Sequence, residues 1–174
     1  MANPGRSANK QLAIRNRQRA QPISTQAIRQ IIRTLLVDLL ALDSFELTVV
    51  IVNEREMTRL NETFLRHRGS TDVLAFNYAE KPSAGELCGE VIVCAEEARA
   101  QSARFRTTWQ SELIRYVVHG VLHLLGYDDR RGAARRKMKL EENRLMIQLS
   151  QRFSFSGLTT RRKHQGKKHA VANS

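Results

Sequence analysis

Two histidines stand four residues apart in the run "HGVLHLLGYDD", which spans residues 119 to 129. At helical spacing His119 and His123 project from one face, one turn apart, close enough for both imidazoles to reach a single ion. This is the arrangement of paired histidine ligands in zinc hydrolases. The competing explanation is a packed core helix whose rings are satisfied by neighbouring polar groups. The residues just past the pair favour a metal site. Gly126 can adopt the positive φ of a C-terminal cap and turn the chain back. The pattern then reads H-x-x-x-H-x-x-G-x-x-D, with Asp129 delivered as a third ligand and Asp128 as the neighbouring alternative. Three protein ligands leave a position open for water, as in catalytic zinc sites. A zinc protease of this layout carries a glutamate directly after the first histidine, and this chain has Gly120 there.

The elements that must position these residues follow from periodicity. Apolar residues Leu113, Ile114, Val117, Val118, Val121, Leu122, Leu124 and Leu125 cover the rest of a helix predicted over about 109–125. Residues 11–18 alternate weakly and predict an edge strand. Ser24 or Thr25 then starts a helix to about residue 42, with Ile28, Ile31, Ile32, Leu35, Leu36, Leu39 and Leu40 on its buried face. Strands are predicted at 46–53, 72–78 and 87–94, and helices at 54–66, 95–105 and 133–152. The sum is an α/β (α+β) fold: one domain, a sheet of about four strands and about five covering helices. Its expected extent is 11–155, between a basic N-terminus (1–10) and a basic tail (156–174).

Composition narrows the class. The chain has 174 residues, 41% hydrophobic, and a formal charge of +12. No acid precedes Asp38, and Arg161, Arg162, Lys163, Lys167 and Lys168 crowd the far end. Such a surplus points to a polyanion, because cations at phosphates release condensed counterions. No apolar run is long enough to span a bilayer, so no membrane partner and a cytoplasmic location are expected. Cys88 and Cys94 on one strand would lie about 20 Å apart, beyond disulfide reach, and read as free thiols.

With these residues in view, "HGVLHLLGYDD" resembles the signature H-G-x-L-H-L-x-G-Y-D-H of the YbeY family of metal-dependent endoribonucleases. "LNETF" followed by "TDVLAF" is similar to that family's L-N-x-x-Y-R and T-D-V-L-S-F blocks, and "GEVIVC" to its G-D-I-V-I strand. The resemblance implies a zinc-dependent endoribonuclease specific for single strands, acting on ribosomal RNA of the small subunit in 16S 3′ end maturation and ribosome quality control. It implies His119, His123 and Asp129 as metal ligands, with His119 also catalytic. Two positions depart from the family pattern. Asp129 stands where the family has a histidine, and Leu65 where it has an arginine thought to act at the scissile phosphate. Arg66, next to it, is the expected replacement, with Arg68 near. Arg115, one turn before His119, is a further RNA contact or else a surface partner of Glu112, and Arg68, Arg161, Arg162 and Lys163 are further RNA contacts. Asp72, beside Thr71, is a candidate for orienting a ligand. The alternatives are an RNA-binding ribosome assembly factor with weakened catalysis and, more remotely, a zinc metalloprotease.

Overall fold

A computed structural model describes residues 9–80 and 83–160. Strand β1 (Lys10–Asn16) leads through Ser24 into helix α1 (Thr25–Thr34), whose start is capped by the Ser24 hydroxyl accepting the Ala27 N–H. The helix then widens into a π-helical stretch, Leu35–Leu39, and ends at Ala41, where φ is +48°. The expected continuous helix to residue 42 is therefore an α-helix with a π-helical last segment. The left-handed residue turns the chain so that Leu42 returns to the core.

Strand β2 (Ser44–Val52) is β-branched and central. Asn53 caps helix α2 (Glu54–Phe64) by accepting the Glu56 N–H. Strands β3 (Val73–Asn77) and β4 (Glu86–Cys94) follow, then helices α3 (Ala95–Phe105), α4 (Trp109–Leu124) and α5 (Gly132–Arg152), and a 3-10 turn at Phe155–Leu158. The strands form one sheet in the order β1-β2-β4-β3. β1 and β4 run parallel to β2, whereas β3 is an antiparallel edge strand on β4.

Alternation along the strands divides the core. Phe45, Leu47, Val49 and Ile51 of β2, with Leu87, Val91 and Val93 of β4, face the main core with α1, α4 and α5. Val50, Val52, Leu74 and Ile92 face the other way, against Met57 and Leu60 of α2. α4 is buried on most of its surface, which its near-continuous apolar sequence requires. It approaches the sheet closely through Gly120, where an added Cβ would lie 2.6 Å from Val91 Cγ1 and 3.1 Å from Val73 Cγ2.

The fold runs past the expected boundary at 155. Leu158 is fully buried, its carbonyl accepts the Ser24 N–H at 2.8 Å, and the Thr160 N–H reaches Pro22 O at 2.9 Å. Polar composition hid one apolar anchor, and residues 156–160 belong to the fold. The expected RNA contacts Arg161, Arg162 and Lys163 lie outside the described residues. Both cysteines are free, with Cys94 buried. Among the described residues no helix is long and apolar enough to cross a membrane.

Candidate metal centre

The end of α4 builds the site. Leu125 closes the helix and Gly126 takes φ +89°. The Tyr127 N–H then bonds Leu122 O at 3.0 Å and the Gly126 N–H bonds His123 O at 3.0 Å, the paired bonds of a Schellman cap. This reversal brings Asp129 back over the last turn. His119 Nε2 and His123 Nε2 lie 3.0 Å apart, and Asp129 Oδ2 is 3.6 Å from each. A single ion bonded at about 2.0 to 2.2 Å would separate its ligand atoms by distances of this order. The neighbouring Asp128 instead accepts from the Arg130 N–H and Nε–H, closing the turn.

The proton positions follow from the partners. His119 Nδ1 lies 2.9 Å from Glu142 Oε2, and His123 Nδ1 lies 3.2 Å from Tyr127 O. A carboxylate and a carbonyl only accept, so each Nδ1 is the donor, and a ring in its neutral form turns its Nε2 lone pair inward. With both rings neutral, two lone pairs and a carboxylate oxygen converge on one point. Such a donor set calls for a cation at its centre, and the residues present fit a divalent metal.

Glu142 is the residue that sequence reasoning missed. It is 3% exposed and also accepts Arg115 Nη1 and Lys139 Nζ, each at 2.7 Å. Burial alone would push its carboxyl up, but hydrogen bonds from His119, Lys139 and Arg115 outweigh this and hold it at about 2. For His119, burial opposes the charged ring, while Glu142 and the charges of Asp72 and Asp129 prevail and raise it above the ordinary histidine value. A signal was available in the sequence. Met138, Glu142, Leu145 and Leu149 share one stripe of α5, so a lone acid falls where only apolar residues belong.

A cavity of about 310 Å³ adjoins the triad, lined among others by Asp72, Arg115, His119, Asp129, Arg135 and Lys139. Asp72 Oδ1 accepts from the Val73 N–H and the Thr71 hydroxyl, so it is Glu142 and not Asp72 that orients His119. Arg115 is paired with Glu142 and Asn143 rather than with Glu112, which instead accepts the Thr107 hydroxyl. Arg66 sits with φ +56° in the exposed turn after α2, as do His67 and Arg68, and neither arginine lines this cavity. Gly120 faces Val91 and Val73 of the sheet, so a glutamate at that position could not reach the triad as a protease base would have to.

The family model for endoribonuclease YbeY matches residues 13–150, which include the whole of this site. This chain belongs to the endoribonuclease YbeY family. Proteins named endoribonuclease YbeY are similar to it along different lengths. The Syntrophotalea carbinolica protein is 32% identical over 145 residues, covering 80% of this chain and 96% of the relative. One from an Anaeromyxobacter species is 37% identical over 100 residues, and there the match spans 58% of this chain and only 52% of the relative. The solution structure of TM1509 from Thermotoga maritima aligns over 81% of this chain and 90% of that one, with a TM-score of 0.59 and 23% identity. That likeness establishes a shared fold. Within a YbeY-family fold, the His119, His123 and Asp129 cluster occupies the end of a buried helix beside an open cavity, where a substrate could reach it.

Proposed function

We propose that this protein is a metal-dependent endoribonuclease cutting single-stranded ribosomal RNA, in 16S 3′ end maturation and ribosome quality control in the cytoplasm. The observation that carries the reading is the convergence of His119 Nε2, His123 Nε2 and Asp129 Oδ2 beside a cavity that His119 and Asp129 line, in a YbeY-family chain. Zinc suits two imidazoles and one carboxylate in a three-ligand site with an open position. When bound, such an ion supplies a Lewis acid that lowers the pKa of water and shields charge on phosphoryl oxygens.

The protein's own groups do the rest. Glu142 fixes the His119 tautomer and ring orientation, and Arg115 and Lys139 keep Glu142 ionised so that it can. Asp129 adds a negative charge where the family signature has a neutral histidine, which lowers the acidity the ion can confer on water. Asp72 faces the cavity with Oδ1 already bonded, leaving Oδ2 as the carboxylate oxygen able to take a proton from an attacking water. Arg66, with Arg68 beside it, takes the role of the family's arginine at the scissile phosphate. Its exposed turn leads within six residues to Asp72 on the cavity wall, so a bound strand could be met from that side.

The second reading, an RNA-binding assembly factor with weakened cleavage, is favoured by Leu65. This side chain is 50% exposed and carries no charge where the family pattern has arginine. Cleavage of a single-stranded RNA by wild type, His119→Ala and Asp72→Asn separates the two. The expected outcome is cutting by wild type, no metal-dependent cutting by His119→Ala, and a loss of about 10²- to 10⁴-fold for Asp72→Asn with metal content kept. A wild type that binds ribosomal RNA but leaves it intact at every metal concentration establishes the assembly factor instead.

A further inference from the structure

The first half of α5 is charged in a way that folding does not explain. Helices α2, α3 and α4 each carry a glutamate in the first turn, where the positive end of the helix dipole favours acids. α5 begins after Arg131, has no side-chain cap and no acid in its first turn, and continues through Arg135, Arg136, Lys137 and Lys139 before its first acid, Glu141. Cations there oppose the dipole and repel one another, so the arrangement costs helix stability.

Their placement is ordered with respect to the metal centre. Arg135 and Lys139 stand about one turn apart on one side of α5, about 6 Å along its axis, and Arg131 directly precedes the helix in extended backbone at the same end. Arg135 and Lys139 line the cavity beside His119 and Asp129. The Arg135 Nε–H is pinned to Asp129 O at 2.7 Å, and its terminal nitrogens have no partner among the described residues. Lys139 bonds Glu142 through one ammonium proton, leaving two. The Arg131 side chain is exposed and makes no ion pair among the described residues. By contrast Arg115, on α4, is engaged by Glu142 and Asn143.

We infer that Arg131, Arg135 and Lys139 form a phosphate track along α5, which holds successive phosphates of the RNA strand and leads it into the metal centre. The inference rests on the proposed RNA substrate and adds the side from which the strand enters. One cation per helical turn matches a repeating anion, and a mobile strand neutralises the repulsion that the bare helix carries. Bound this way, the strand is read by charge and spacing, so the track gives affinity without sequence preference.

The test is the salt dependence of binding of a 12-residue oligouridine, measured in chelator so that no strand is cut. It compares wild type, a track triple Arg131→Gln/Arg135→Gln/Lys139→Gln, and a control triple Arg19→Gln/Arg33→Gln/Arg55→Gln. The control removes the same charge from exposed positions on other elements. Each lost phosphate contact lowers the log–log salt slope by about 0.7, so the track triple should lose about 2. Its affinity at 0.1 M salt should fall about a hundredfold by the same relation, with the control changed far less. An unchanged slope in the track triple, or an equal loss in the control, overturns the track. Cleavage by wild type is scored separately: if the slope falls as expected while wild type never cuts RNA, the track stands and the nuclease reading fails. Circular dichroism and melting temperature of the triple confirm that the fold is intact, and, should Lys139→Gln disturb it, the pair Arg131→Gln/Arg135→Gln gives the same test with an expected loss of about 1.4.

Discussion

A single buried carboxylate organises the residue scale. Glu142 takes three donors at once, two of them the cations Arg115 and Lys139, and only the bond from His119 Nδ1 bears on the metal centre directly. Arg115 and Lys139 stabilise the ionised form that this bond needs. Glu142→Gln keeps the shape but offers one acceptor and one amide donor in place of two charged acceptors. Zinc affinity, measured by competition with a chromophoric chelator, should fall about 10- to 100-fold. Unchanged affinity would show that His119 is oriented without it. The cluster of His119, His123 and Asp129 was legible in the sequence, because a four-residue histidine spacing and a glycine cap are local patterns. Glu142 was missed because its partner lies 23 residues away: the apolar stripe of α5 could have turned it inward, but nothing local names His119 as what it meets. Arg115 was misassigned for the same reason: its nearest acid along the helix is Glu112, but its partner in space is on α5.

At the scale of elements, α4 is held at two points that set where the triad stands. Gly126 reverses the chain toward Asp129, and Gly120 lets the helix settle onto Val91 and Val73. Gly120→Ala improves intrinsic helix propensity but places a methyl 2.6 Å from Val91 Cγ1. The expected result is a net loss of about 1 to 3 kcal/mol in denaturant unfolding, with a lower melting temperature. A stabilised variant would mean that the sheet yields easily and that the close approach is not needed. The helices and strands of the sequence reading correspond to those observed, since each strong apolar period finds a face to bury. What periodicity could not foretell is the π-helical stretch at Leu35–Leu39. Its apolar spacing continues that of α1, and the change shows only in the backbone, where the Leu40 N–H bonds Leu35 O at 2.9 Å before Ala41 turns the chain at φ +48°.

Across the whole molecule, the sheet order β1-β2-β4-β3 brings the start of β3, the end of α4 and the face of α5 to one cavity. The triad lies within one segment, 119–129, and the cavity wall adds Asp72 and residues of α5 to it. The C-terminal 3-10 turn closes the opposite end against the start of α1. Leu158→Ala should cost about 2 to 5 kcal/mol by thermal or denaturant unfolding, as for any fully buried leucine. A negligible effect would return residues 156–160 to the tail that their polar composition suggested. The charge of +12 belongs to this scale too, because it draws a polyanion to the surface whatever the site then does with it.

The proposal that His119, His123 and Asp129 hold one ion on which RNA cleavage depends is tested most directly by a metal titration of activity. The protein is stripped with chelator and dialysed, and the initial rate of cleavage of a single-stranded RNA is followed as zinc is added. The expected rate is at background without metal and rises to a plateau at one ion per chain. Cleavage that persists after stripping, or a rate that saturates only at two or more ions per chain, would contradict it.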